Sequence, residues 1–517
     1  MPEYLSPGVY VEEFEIGAKP IEGVGTSTAG FLGETERGPT EPRLITGWLQ
    51  FQRVYGGHFV QEKVSPYLPY CVEGFFSNGG ARCYVARVVG AGPDEEKAKK
   101  AGLKLDNNSL TITAVGEGTW GNRVGIKVGK GTFNDDEKNP LFRLRVYYWK
   151  TGDVEGDPEK ADESADLIED FDDLSVESTS DDYFENKVNG ISNLIIITKE
   201  ADDSGVLPEG PTDVTPLAGG VDGKLPLDAD DYKREDTDLP GQRLGLTALH
   251  AIDEVAILYA PNADSINGLA NALIKSCEKL KDRFAIIDAI RGESNKDNLK
   301  PRDGYETMYA AFYYPWIKVY DSITKLYKPI PPGGHVAGIY ARSDIERGVH
   351  KAPANEKVRG VKELEFQITK GEQDILNPRG VNCIRFFPGR GIRVWGARTL
   401  SSNTLWKYIN VRRLFIFIEE SIEEGTQWVV FEPNDQKLWA RVKQTITQFL
   451  TRVWRDGALM GSTPEEAFFV KCDRTTMTQD DIDNGRLICI IGIAPVKPAE
   501  FVIFRIAQWQ GGSAVTE

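Results

Sequence analysis

Apolar positions along this chain follow two patterns. Short runs rich in β-branched and aromatic residues, bounded by Gly, Pro, Asn or Asp, read as strands. Runs with apolar residues three and four apart read as helices. Between Gly25 and Gly90 the pattern predicts a strand over 28–33, a turn over 37–42, helical pieces over 48–55 and 65–78, and a strand over 81–89. After a short charged linker, DEEKAKKAG, it predicts mostly short strands to about Pro216, at 110–115, 124–128, 141–149 and 194–198. From Gly241 it becomes strand–helix–strand, over 255–260, 265–280 and 284–288, which is a parallel βαβ unit.

The stretch 382–509, about a quarter of the chain, is its most apolar and aromatic part. A helix is expected over 405–424, with Ser402 or Asn403 as its N-cap and Gly425 just past its end. Asn434 is expected to cap a second helix over 435–456 that stops at Gly457; at 1.5 Å per residue it is roughly 33 Å long. Leu438, Val442, Ile446, Phe449 and Val453 form its core stripe. Lys437, Arg441, Gln444, Gln448, Arg452 and Arg455 lie on the other side. With Lys443, the span 436–455 holds five basic residues and no acid. A solvated face is the plain reading, but such faces usually mix both signs. Lys437, Arg441, Arg452 and Arg455 are therefore candidates for docking on an acidic protein surface.

Both ends carry extended apolar segments with nothing local to pair with. One is VYVEEFEI, with Val9, Tyr10, Val11, Phe14 and Ile16; the other spans 501–508, with Phe501, Val502, Ile503, Phe504 and Ile506. Each either completes a sheet of its own chain or adds a strand to a neighbouring subunit.

At 517 residues the chain is long enough for about three domains of ~150 residues. Its net charge of −17 is concentrated. Residues 152–185 hold fifteen Asp and Glu against Lys160 alone, leaving the rest near −3. Such a run reads as solvated loops or disorder. Direct nucleic-acid binding needs clustered cations and is not expected. No apolar run reaches the ~18 residues of a membrane span, so no membrane insertion is expected. The opening MPEYLSPGVYVEEF lacks the features of a secretory signal. Cys71, Cys83, Cys277, Cys383, Cys472 and Cys489 lie far apart and read as reduced buried thiols in a cytoplasmic protein.

Catalytic and cofactor motifs fail one by one. Gly25-Thr-Ser-Thr-Ala29 has Ala where a hydrolase elbow needs its second Gly. Gly389-Arg-Gly391 has Val394 where a dinucleotide loop needs its third. His58, His250, His335 and His350 lie in no protease-like string, and no zinc spacing occurs. No enzymatic activity, cofactor or metal is expected.

Several strings resemble the contractile tail sheath family of phage tails, R-type pyocins and phage-tail-like injection systems. They are NCIRFFPGRGIRVWGARTL (382–400), WKYINVRRLF (406–415), FEPN (431–434), AFFVKCD (467–473) and IGIAPVKPAEFV (491–502). YLSPGVYVEE (4–13), GVGTSTAGFLG (23–33), GTWGN (118–122), TPLAGGVDG (215–223) and the segments 310–321 and 331–361 are similar to the family as well. The resemblance implies an α/β, mixed α+β multi-domain fold. Its expected parts are an N-terminal arm (1–20), an N-terminal α/β segment (21–92) and an inserted β-rich domain with acidic outer loops (93–216). A subtilisin-like α/β domain without a triad (217–372), an α+β C-terminal sheath core (373–500) and a C-terminal arm (501–517) follow. The implied function is a structural subunit that polymerises around an inner tube and contracts from a metastable extended state to drive that tube through an envelope. The implied partners are further copies in stacked hexameric rings with exchanged arms, the inner tube protein, baseplate and terminal cap proteins, and sheath paralogues. The family sets a C-terminal-domain helix against the tube. The compact opening SPGVYVEE favours a headless injection system over a phage tail. A hydrolase using the middle domain, or a monomeric module with its arms folded back, are the alternatives.

Overall fold

The computed structural model describes residues 20–60, 66–93, 97–105, 110–133, 141–199, 210–237 and 239–506. Val9, Tyr10, Val11, Phe14 and Ile16 lie outside them.

An eight-stranded sheet organises the chain. Its strand order is Gly391–Val394, Val381–Phe387, Ala310–Tyr314, Phe284–Asp288, Ile257–Tyr259, Ala29–Gly33, Cys83–Arg87 and Arg43–Ile45. The six inner strands run parallel, and an antiparallel strand closes each edge. Ala29–Gly33, Phe284–Asp288 and Ala310–Tyr314 are buried at every position, as a parallel sheet covered on both faces requires. Gly245–His250 and Leu269–Leu280 form one helical layer, and Leu68–Ser77 with Gly333–Arg347 another. The last two helices approach through small residues. A Cβ on Gly334 would lie 2.4 Å from the Cys71 carbonyl oxygen, and one on Gly74 would lie 2.2 Å from the His335 ring. Residues 21–92 and 217–372, far apart in sequence, thus share one sheet.

Between them two smaller sheets enclose a separate core. One contains Gly102–Lys104, Leu110–Ala114 and Ile195–Lys199; the other contains Thr215–Pro216, Val124–Lys130, Phe142–Tyr148 and Leu167–Leu174. Trp120, Ile112, Ile126, Leu144 and Val146 are buried between them. Here the acidic run departs from the loops expected of it. It forms a helix, Pro158–Ser164, capped by Asp157, and the edge strand Leu167–Leu174. Cross-strand cations explain the order: Arg143 Nε donates to Asp170 at 2.8 Å, and Arg145 lies 3.1 Å from Asp162.

A third core joins Ile409–Gly425, Gln436–Arg455 and the hairpin of Phe468–Lys471 with Ile490–Ile493. The first of these helices starts four residues later than expected, because Asn403 Oδ1 accepts the Leu405 amide at 2.9 Å and forms a turn instead of a cap. Tyr408 then bridges Arg398 before helix begins. The second is capped by Asp435, which accepts from the Leu438 amide at 2.8 Å. Asn434 is displaced from that role by its bond from Trp439 Nε1 at 2.7 Å. A buried ion pair ties this unit to the main sheet. Arg413 donates twice to Asp344, at 2.9 and 2.6 Å, and once to the Thr26 carbonyl at 2.8 Å.

Candidate assembly surfaces

After the hairpin the chain runs to Glu500, which is clamped. Arg398 donates to both carboxylate oxygens at 2.7 and 2.9 Å, Asn377 Nδ2 at 2.8 Å and Tyr408 OH at 2.9 Å; Lys407 lies 3.2 Å away. Burial alone would raise this carboxyl, but the hydrogen bonds from Arg398, Asn377 and Tyr408 outweigh it and hold it down at about 2. Glu500 is the only acid between Ile488 and Trp509, and that isolation in an apolar string is the signal from which the anchor could have been read.

Immediately beyond the clamp the chain gives up its own core. Phe501, Val502, Ile503, Phe504 and Ile506 are 69, 68, 79, 83 and 95% exposed. Residues 501–506 join no ladder. The expected strand therefore does not complete a sheet of its own chain over these residues. Burying one such side chain is worth about 1.5–3 kcal/mol, so five left in water are a standing drive to find a partner. Among the described residues, Phe468–Lys471 and Ile490–Ile493 pair only with each other, which leaves the outer edge of each open.

The helix Gln436–Arg455 carries the expected stripe, with Leu438, Val442, Ile446, Phe449 and Val453 all buried. Lys437, Arg441, Arg452 and Arg455 are all exposed, as are Lys443, Gln444 and Gln448. Two of the four candidates also have partners within the chain. The Arg441 guanidinium stacks on Trp428, 4.5 Å from its centroid, and Arg452 donates to the Ile21 carbonyl.

Groups that hydrolysis would need do not converge on a cavity. Of two cavities, about 830 and 520 Å³, His350 lines both, the second together with Asp344 and Thr26. Asp344 is already held by Arg413 and the Thr26 hydroxyl, no Ser or Cys lines either cavity, and His58, His250 and His335 line neither. His335 is buried against Gly74, and burial pushes it down to about 4. His250 Nε2 lies 2.8 Å from Ser276 Oγ, which is buried within the helix Leu269–Leu280. His58 meets both Ser322, at 3.3 Å, and Glu73, at 3.2 Å, but its ring lies flat on Tyr70 and its Nε2 makes no hydrogen bond to that carboxylate. Asp288, at the end of a central strand, accepts from Tyr259 OH at 2.6 Å and the Gly333 amide at 2.8 Å. Burial pushes its carboxyl up to about 7, against those bonds. No described helix is long and apolar enough to cross a membrane.

Comparison with known proteins agrees with this geometry. The family profile for the phage tail sheath protein central domain matches residues 232–400, and that for the phage tail sheath C-terminal domain matches 401–508. The tail sheath protein of Vibrio phage KVP40 is 26% identical over 220 residues, which span 42% of this chain and 31% of that relative. A chain of the anti-feeding prophage baseplate superposes with a TM-score of 0.57 and 25% identity, over 98% of this chain and 99% of that one. The sheath complex of the PVC extracellular contractile injection system, in its contracted state, shares the fold, with a TM-score of 0.59, 24% identity and 99% of each chain covered. The first of these relatives is a tail sheath protein and the last belongs to a sheath complex. The two profiles run without a gap over more than half of the sequence, and the chain belongs to the phage tail sheath protein family of contractile particles.

Proposed function

We propose that this chain is the sheath subunit of a contractile particle, polymerising around an inner tube and driving it forward by contraction from a metastable extended lattice. The observation that carries this reading is the run 501–506, apolar, exposed and unpaired directly after a clamped glutamate. The segment adds as a strand to a neighbouring copy, with the hairpin Phe468–Lys471 and Ile490–Ile493 as the receiving edge. Val9, Tyr10, Val11, Phe14 and Ile16 form the second arm. At roughly 1 kcal/mol per hydrogen bond one six-bond strand is modest, but two arms per subunit repeated around stacked hexameric rings hold by avidity. Lys437, Arg441, Arg452 and Arg455 face the tube. Baseplate, terminal cap and paralogous sheath proteins complete the particle, which assembles in the bacterial cytoplasm. The doubly wound sheet is the part we equate with the subtilisin-like domain, and the unit boundaries near 92, 216 and 500 belong to the same proposal; the boundary expected at 372 moves to about 400, because Val381–Phe387 and Gly391–Val394 are strands of that sheet.

No phosphate loop supplies fuel, so the work comes from energy stored at assembly and released by repacking of rigid units. Electron microscopy of the protein alone tests the reading, with ringed tubes of wide lumen expected. Deleting 501–517 should abolish them and leave the melting temperature unchanged. A deletion that destabilises the monomer while tubes persist would refute arm exchange.

A further inference from the structure

The turn between the two C-terminal helices carries a ring that this chain's packing does not use. Phe431 is 103% exposed and Val430 beside it is 60% exposed. Phe431 also holds a φ of +69°. There the Cβ of an L-residue crowds the following carbonyl, so the region is normally left to Gly or Asn. An aromatic ring in water on a left-handed backbone is disfavoured twice, and no ring contact within the described residues offsets it. The turn is nevertheless held in place. The Val430 and Glu432 amides donate back to Gln427 and Val429 at 3.2 Å, and Trp428 lies under Arg441. Phe431 therefore stands beside the cationic face, next to the start of its helix.

We propose that Phe431, with Val430, is an apolar plug that enters a socket on the inner tube at the contact made by the cationic helix. This rests on the assignment of that helix to the tube. The partner surface then has a stated chemistry: an apolar pocket with an acidic rim. A second copy of this chain is the competing occupant, through its acidic run. Four carboxylates of that run are already engaged at home, Asp170 and Asp172 with Arg143, Asp162 with Arg145 and Asp182 with Lys187. That favours a foreign acidic surface. The two elements divide the task. The cations act at long range and are screened by salt, whereas the plug acts at contact, is indifferent to salt and fixes register.

Co-sedimentation of the full-length protein with preformed inner tubes, across a salt series, tests the plug. Phe431→Gly suits the backbone, so the variant should melt at or above the wild-type temperature. It should bind tubes at least tenfold more weakly at every salt concentration, with an unchanged salt slope and unchanged tube-free polymers. Phe431→Leu should retain most of the binding. Lys437→Glu/Arg441→Glu should flatten the slope instead. Tube binding by Phe431→Gly within twofold of wild type overturns the plug, and if the charge reversal still weakens binding, the helix assignment stands without it. Loss of tube-free polymers in Phe431→Gly also overturns it, by moving the ring to a contact between copies. A charge reversal without effect, alongside a weakened Phe431→Gly, leaves the ring on the tube but overturns its placement at a contact made by the cationic helix.

Discussion

Replacing Glu500 by Ala should free the root of the C-terminal arm while leaving the three cores folded. Holding a carboxyl at about 2 in place of its ordinary 4.5 corresponds to about 3 kcal/mol at neutral pH. The Glu500 side chain is 17% exposed, and screening reduces the figure to about 2 kcal/mol. That energy acts on position, because the clamp fixes where and in which direction Phe501 leaves the surface. Its sign follows from the depressed value: the contribution is present above the unfolded value near 4.5 and is lost only as pH falls through about 2. The clamp therefore holds across the whole range from pH 5 to 8. Hydrogen exchange supplies the assay. In Glu500→Ala the amides around 494–500 should lose ten- to thirty-fold in protection, and the hairpin Phe468–Lys471 should lose none. The critical concentration for polymerisation should rise by a similar factor, since a mis-aimed arm must search for its edge. Unchanged exchange together with unchanged polymerisation would refute the argument.

Three further outcomes are expected. Arg413→Met strands Asp344, whose side chain is only 4% exposed, and should cost about 3–5 kcal/mol in chemical denaturation; adding Asp344→Leu should recover much of it. Gly74→Ala pushes a methyl into the His335 ring, and should lower the thermal transition of the main sheet by the equivalent of about 1–3 kcal/mol. Asp288, raised from 3.8 to about 7, favours the fold fully below 3.8 and loses that contribution as pH rises through 7. Wild-type protein should therefore melt progressively lower between pH 5 and 8, whereas Asp288→Asn should show a flatter profile.

Local pattern carried the individual elements well. Trp48–Tyr55 and Phe284–Asp288 have the bounds that periodicity and flanking turn residues indicate, because their neighbours along the chain decide them. The cationic helix was legible for the same reason, down to the stripe and the exposed face. What periodicity does not encode is which distant strand lies alongside. Nothing near Ala29 announces that it pairs with both Cys83 and Ile257. The acidic run looked unstructured because its neutralising partners, Arg143 and Arg145, arrive from across the sheet. Glu500 hides in the same way: its partners Asn377, Arg398, Lys407 and Tyr408 come from elsewhere in the chain. Phe431 was quoted in a motif, but only a backbone angle reveals its strain.

The insertion leaves and re-enters the main body through a narrow neck. Lys99 and Val221 exchange two backbone hydrogen bonds, at 2.9 and 3.1 Å, and Gly102 and Ala218 two more, at 2.8 and 3.1 Å. The large sheet therefore sees the excursion from Arg87 to Asp228 as one stitched loop, whose closure cost grows only slowly with what lies beyond the stitch. Contacts that tether the module sideways include Tyr148 OH with Glu36 at 2.9 Å, Arg37 over the Tyr148 ring at 4.9 Å, Arg87 with the Glu117 carbonyl at 2.7 Å and the Thr40 hydroxyl with the Glu117 carboxylate at 3.2 Å. A graft that keeps the neck, Glu117 and Tyr148 should be able to replace the rest. The inserted unit is thus a separable cassette, expected to be exchangeable for another domain while the main sheet beneath it is left unaltered.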